Sequence, residues 1–355
     1  MNENKLKQIK NQIEDQKWDY WISNNLINFL TEQNIKLNMQ ELYELTKYLI
    51  NENAFGFLFP ISNIIRDLAS ADEDFIKILE SIIGEIKNDM AQGPFIDSLT
   101  FIGKSNPALA MKIADKLLKS SEPEYSSFLI GSSFHKLSNK GNAFITKLLS
   151  SENPRYQVTA LKTLRIVYKD REIKDMQKTF NTLENASKSD FIEVKSEALE
   201  AFLDFYKNDI QKSNRIIENL VRNHTKCKYL LAKRITFQSP FDDKTSLYFL
   251  DICSEDSDIN VKRTVFNALV KFTKKHADVV LEILAKYTIR DKYDLDGMGY
   301  VLKNMGETNA TNALVIILDW FKNDRYLKLR RYISVMIKDL VSKTDKKIIL
   351  KPIFQ

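Results

Sequence analysis

The chain has 355 residues, and its 53 lysines and arginines against 47 aspartates and glutamates give a formal net charge of +6. Hydrophobic residues make up 44% of the sequence and charged residues 28%, a balance that excludes global disorder. Nine glycines and seven prolines are too few for a protein built from tight hairpins or glycine-rich phosphate loops. The composition therefore predicts an all-α protein.

The cysteine content and the hydropathy profile indicate in which cellular compartment the protein is expected. Two cysteines, Cys227 and Cys253, are too few for a disulfide framework and favour a reducing environment. The first residues are charged and lack the apolar core of a secretory signal. The longest apolar run, Ala313–Leu318, is far shorter than the ~20 residues of a membrane span. We expect a cytoplasmic protein with no membrane partner.

Charge is distributed unevenly along the chain. Residues 1–150 carry 16 lysines and arginines against 19 acidic residues, whereas residues 151–355 carry 37 against 28. Such asymmetry is typical of a protein whose basic part meets an anionic partner. A lysine-rich surface that is merely solvated is the alternative interpretation.

In chain order, an imperfect apolar stripe at residues 1–38 is followed by one helical pattern that recurs. From Val261 to Phe272, apolar residues follow i, i+4, i+7, i+8 and i+11, the stripe of a helix with one buried face. Counting weaker copies, such stripes start at residues 125, 156, 194, 230, 261, 295 and 329, at intervals of 31 to 38 residues. Shorter amphipathic helices are predicted between them, at Ala108–Leu118, Asn142–Leu149, Ile210–Val221, Thr245–Cys253, Val279–Tyr287 and Ala310–Phe321.

Four dipeptides predict where helices begin. In each of them a proline follows a residue that ends the preceding segment, and proline favours the first helical position because its missing N–H has no partner there. The four are Asn106-Pro107, Glu122-Pro123, Asn153-Pro154 and Ser239-Pro240.

Two of the recurring stripes resemble the second helix of HEAT repeats. Asp258 precedes Val261-Lys262 and Ala268, and Asp190 precedes Val194-Lys195 and Ala198. The resemblance covers approximately residues 40–342. It implies an α-solenoid of stacked antiparallel helix pairs, with roughly eight or nine repeats forming a curved right-handed superhelix. We expect N-terminal capping helices at 1–38, the solenoid at 39–342 and a C-terminal tail at 343–355.

No motif in the sequence predicts a metal, another cofactor or a catalytic residue. His224 and Cys227 have half of a zinc site's spacing, but the nearest further cysteine is Cys253, a full repeat away. The segment Asp294-Leu-Asp296-Gly297 is similar to the middle of a calcium loop. In that register Lys292 and Lys303 would occupy ligand positions 1 and 12, which excludes calcium.

Basic residues recur on the side of the anchored helices that points away from the core. Relative to the first apolar residue of each stripe, positions +2, +6, +9 and +13 face outward. HEAT-like arrays line their concave surface with the second helices, so the resemblance implies a basic inner ridge. Its members are Lys162, Arg165, Lys169, Arg263, Lys274, Arg331 and Lys338.

These observations favour a non-catalytic binding scaffold whose concave surface holds a protein partner. The alternative is nucleic-acid binding through the basic C-terminal half, which would be strongly salt-dependent. A third hypothesis is a DNA glycosylase for alkylated bases, because a group of such enzymes is built on HEAT-like repeats. Those enzymes use aromatic, acidic and arginine side chains, residue types that Asp319, Trp320 and Arg331 supply.

Overall fold

The computed structural model describes residues 7–11, 13, 30, 36–54, 57–86, 89–169, 175–286, 296–305 and 338. Every regular element in these residues is helical and none is a strand, which confirms the all-α prediction. Residues 296–305 are also helical. The helices are α1 Met39–Asn51, α2 Leu58–Asp67, α3 Glu73–Glu85, α4 Asp89–Ser105, α5 Pro107–Leu117, α6 Ser126–Leu149, α7 Pro154–Lys169, α8 Met176–Ser187, α9 Ile192–Phe205, α10 Ile210–Asn223, α11 Thr225–Gln238, α12 Asp243–Ser254, α13 Ile259–Leu269 and α14 Ala277–Lys286.

The chain divides into two units, residues 1–180 and 181–355. In unit 1, α1 contacts α3, α2 contacts α4, α3 contacts α5 and α4 contacts α6. In unit 2, α9 contacts α11, α10 contacts α12, α11 contacts α13 and α12 contacts α14. Contacts also join consecutive helices, among them α5 with α6, α6 with α7, and α11 with both α10 and α12. Within each unit, alternate helices therefore lie side by side. Most of them also pack against helices that come just before or after them in the chain.

The recurring apolar stripes form the cores of these layers. In α13, Val261, Val265, Ala268 and Leu269 are fully buried, because a helix turns by 3.6 residues and brings them onto one side. Predicted helices coincide with α5, α10, α12 and α14, each to within a few residues at either end. The helix predicted at Ala310–Phe321 and the stripe predicted from residue 329 lie outside the described residues. So do most of the predicted cap at 1–38 and all of the predicted tail at 343–355.

Two of the four proline signals mark the first residue of an α-helix. Pro107 begins α5 behind the cap Asn106, and Pro154 begins α7. Pro123 opens a 3-10 turn, Pro123–Tyr125, immediately before α6. The prediction for Pro240 is wrong, because α12 begins three residues later at Asp243. There the Asp242 carboxylate accepts from the Thr245 backbone N–H, so an aspartate cap sets the helix start.

Helix α6 contains a kink that the periodicity did not predict. Leu137 has φ −128° and ψ 38°, which are not helical values. A Cβ on Gly141 would lie 2.6 Å from Cδ2 of Phe134, so the absent side chain lets the two arms of α6 meet closely. The predicted helix at Asn142–Leu149 is therefore the second arm of α6, and the first arm continues the stripe that starts at residue 125.

Two glycines in helices of unit 1 should respond to alanine in opposite directions. A Cβ on Gly103 in α4 would lie 2.9 Å from the backbone oxygen of Leu129 in α6, so Gly103→Ala should destabilise by about 1–3 kcal/mol. A Cβ on Gly84 in α3 would meet nothing within 4 Å, and its φ is not positive. Gly84→Ala should therefore stabilise by about 0.4–1 kcal/mol. Urea unfolding of both variants measures the two changes, and a stabilising effect of Gly103→Ala would refute the packing assigned to α4 and α6.

Candidate binding cavity

Unit 1 contains a cavity of about 500 Å³ between α3 and α4, the turn before α6, and α7. Its size is within the range of ~300–1,000 Å³ that is typical of ligand pockets. The lining is apolar in part and charged in part, so an occupant would need both kinds of surface. The apolar lining consists of Ile83, Ile86, Ile96, Phe128 and Ile166, with Gly84 and Gln92 between them.

Helix α7 supplies the basic part of the lining. Lys162, Arg165 and Lys169 are spaced three and four residues apart, so that one side of the helix presents all three, together with Ile166. Lys162 and Arg165 are partly exposed and Lys169 is exposed. The structure thus brings together the three unit 1 members of the predicted basic ridge in one cavity wall.

The opposing carboxylates come from the turn before α6. Glu124 accepts from Lys162 Nζ at 2.6 Å and lies 3.8 Å from Arg155 Nε, and Glu122 lies 3.3 Å from Arg155 Nη2. These pairs fix the turn against α7. Among the lining residues and Arg155, four cations face two carboxylates, which leaves a positive excess on this wall.

Tyr125 adds a phenol to the lining. Burial raises the pKa of Tyr125 to about 12, and the neighbouring Glu122 and Glu124 carboxylates contribute to the rise. The hydroxyl therefore keeps its proton at neutral pH and can donate a hydrogen bond to an anionic or carbonyl oxygen.

The sequence reasoning identified the basic wall but missed the acidic and apolar parts of the cavity. A usable signal was the separation between Glu124 and Arg155, which is 31 residues and equals the interval between the stripes that start at residues 125 and 156. In stacked repeats, equivalent positions become neighbours in space. A carboxylate one repeat before a basic residue was therefore a candidate partner for it, and Lys162 joins the same carboxylate from the next turns of α7.

The other predicted site residues are placed as follows. Arg263 is exposed on α13 and Lys274 is exposed after the 3-10 turn Val270–Phe272, both in unit 2. Lys338 is helical and exposed. Arg331 lies outside the described residues, as do Asp319 and Trp320, on which the glycosylase hypothesis depended.

Neither a reactive thiol nor a metal site emerges from the part of the chain that the structure describes. Burial raises the pKa of Cys227 to about 11, so this thiol stays protonated and packs as a small apolar side chain. No group of three or more His, Cys, Asp and Glu side chains in the described ranges could hold a metal ion. Among the same residues, no helix is long and apolar enough to cross a bilayer.

Comparison with known proteins assigns no family. The sequence matches no protein-family model and no curated protein. A crystal structure described as an engineered protein of the Northeast Structural Genomics Consortium is similar to this chain, with 11% identity and a TM-score of 0.35. The match covers 88% of this chain and 98% of that chain.

Proposed function

We propose that the protein is a non-catalytic binding scaffold of HEAT type, and that the cavity of unit 1 receives a segment of a protein partner. The contacts between alternate helices in each unit support stacked helix pairs, because a solenoid repeat packs mainly on its neighbours. The recurrence of one apolar stripe at intervals of 31 to 38 residues supports the same architecture.

The observation that carries the proposal is the mixed lining of the cavity. Isoleucines and Phe128 offer an apolar surface for an aliphatic or aromatic side chain, and α7 offers cations beside it. A fully buried apolar side chain contributes about 1.5–3 kcal/mol by leaving water. The excess of cations would favour acidic residues next to that side chain and would exclude basic ones.

The partner segment therefore has a defined chemistry: one large apolar anchor residue flanked by aspartate or glutamate. Such a segment would contact Arg165 and Lys169 without displacing the Glu124–Lys162 ion pair. Tyr125 would donate its hydroxyl to a backbone or side-chain oxygen of the segment, since its proton is held at neutral pH.

Selection of displayed random peptides against the full chain tests this function. We expect enrichment of peptides that combine an apolar anchor with acidic flanking residues. Their affinity should fall about tenfold or more for Gly84→Phe, because the new ring has open space toward the cavity and occupies part of it. Arg165→Glu should cause a similar loss through charge repulsion.

Two variants serve as matched controls. Gly84→Ala changes the same position but leaves most of the cavity open, and Lys112→Glu reverses an exposed charge on α5 outside the cavity lining. Both should bind the selected peptides as the natural sequence does. Equal binding to Gly84→Phe, or selection that enriches no acidic and apolar motif, would refute the proposed function.

A further inference from the structure

Two helices of unit 2 carry basic charge alone. The two neighbouring helices α11 and α13 contain no acidic residue, whereas α12, which packs against both, carries Asp243 and Asp251. Basic residues in α11 are Lys226, Lys228, Lys233 and Arg234, and those in α13 and its 3-10 extension are Lys262, Arg263 and Lys271.

Some of these cations have roles inside the fold. Lys228 Nζ lies 3.1 Å from the Asp256 carboxylate, and Arg234 pairs with Asp204 and Glu200. Lys271 Nζ donates to the backbone oxygen of Ile235 at 3.4 Å, near the C-terminal end of α11. This bond also shows that the ends of α11 and α13 are adjacent. Lys262 is buried. Lys226, Lys233 and Arg263 are exposed, as is Lys274 beyond the 3-10 turn.

Three exposed side chains of α11 form one stripe. Lys226, Lys233 and Phe237 are separated by seven and four residues, which places them within about 40° of one another around the helix. Because α11 and α13 lie side by side and both pack against α12, their outward sides belong to one surface. We call Lys226, Lys233, Phe237 and Arg263 the basic face.

Exposed aromatic rings lie on α11 and on the helix at 296–305. Phe237 is 76% exposed on the basic face. Tyr300 is 52% exposed on the helix at 296–305, which approaches α13 where a Cβ on Gly297 would lie 2.3 Å from the ring of Phe266. Rings beside lysine and arginine provide both stacking surfaces for bases and contacts for phosphates.

We propose that the basic face of unit 2 binds single-stranded nucleic acid without base specificity. Lys226, Lys233 and Arg263 contact phosphates, Lys274 extends the path, and Phe237 stacks on a base. A single strand fits this arrangement because its bases are free to stack, whereas those of a duplex are paired inside the helix. The site is separate from the cavity of unit 1 and does not depend on the function proposed for it.

Fluorescence anisotropy of labelled oligo(dT) and oligo(U) with the full chain tests this inference. Three or four phosphate contacts predict that binding weakens about 20- to 50-fold between about 50 and 200 mM salt, from a slope of about −0.7 per contact. The double variant Lys233→Glu, Arg263→Glu should reduce affinity at least about tenfold at low salt. Phe237→Ala should reduce it by about tenfold with an unchanged salt slope, since it removes stacking and no charge.

The matched control is Lys104→Glu, Lys112→Glu, which changes net charge equally through exposed lysines of unit 1. Its affinity should stay within about twofold of the natural sequence. Absence of binding at low salt, or equal loss in the control, would overturn the inference. Tighter binding of duplex DNA, with no effect of Phe237→Ala, would overturn the single strand as the ligand and indicate a duplex. Equal binding of poly-glutamate would overturn nucleic acid as the ligand and indicate an acidic protein. Gly84→Phe should leave oligonucleotide binding unchanged, so each proposed site can fail independently.

Discussion

Replacing Asp256 by alanine is expected to destabilise the region of α11 to α13 by about 3–5 kcal/mol, because the change leaves Lys228 as a buried charge without its partner. The side chains of Lys228 and Asp256 are only 11% and 7% exposed. The carboxylate also accepts from Thr225 Oγ1 and from the backbone N–H of Asp258, both at 2.9 Å. Hydrogen exchange of α11 and α13, followed by mass spectrometry, gives the local change in stability.

The pH dependence of this effect has a definite sign. Burial alone would raise the pKa of Asp256, but the hydrogen bonds from Asp258, Lys228 and Thr225 outweigh it and hold the pKa below its usual 3.8. A depressed carboxyl pKa gives stability that is present above the unfolded-state pKa and is lost as pH falls through the folded-state pKa. The difference between the natural chain and Asp256→Ala should therefore be full at pH 7 and shrink below about pH 4.

Two controls separate the buried pair from ordinary surface charge. Asp251→Ala removes a carboxylate that pairs with Lys286 at 2.6 Å on the surface, and should cost less than about 1 kcal/mol. The double variant Asp256→Ala, Lys228→Met should recover much of the loss, because no buried charge remains. Unchanged hydrogen-exchange protection of α11 and α13 in Asp256→Ala would contradict the stabilising role assigned to the Lys228–Asp256 pair.

Replacing Phe249 by alanine is expected to destabilise unit 2 by about 3–5 kcal/mol through an unfilled cavity. Phe249 is 1% exposed, and its ring centroid lies 5.1 Å from that of Phe241. Phe241 in turn packs edge-on against Tyr206 at 4.6 Å. The three rings join α12 to the loop before it and to the 3-10 turn that follows α9.

The adjacent residue provides the control for this change. Tyr248 is 46% exposed, so Tyr248→Ala should change stability by less than about 1 kcal/mol. Urea unfolding of both variants, combined with hydrogen exchange of α12, measures the two effects. Similar losses for the two neighbours would show that Phe249 is not the residue that holds this part of the core.

The positions of the helices were largely predictable, because burial of one helix side imposes a period on the sequence. Val261, Val265, Ala268 and Leu269 follow that period, and all four are buried in α13. The start of α12 was not predicted from Ser239-Pro240, because the Asp242 cap, which the proline signal does not reveal, sets the helix start. The kink at Leu137 was not predicted either, because apolar residues continue through it in the sequence.

The candidate sites were predictable only in part. Spacing placed Lys162, Arg165 and Lys169 on one side of a helix, and the structure has all three in the lining of one cavity. Their role in binding stays a prediction, as does the basic ridge that would include Arg263 and Lys274. Exposure of Phe237 was not predicted, because a phenylalanine in a helical segment is usually buried.

The sequence by itself determined the helical class, most helix positions and the outward sides of α7 and α13, because these properties depend on local periodicity and capping. Tertiary structure alone decided which charges are neutralised and which surround open space. Glu124 pairs with Lys162, which lies 38 residues later in the chain. Lys228 of α11 pairs with Asp256, which follows the end of α12. Such pairings depend on how successive helices stack, and stacking is set by packing between side chains that are distant in the sequence.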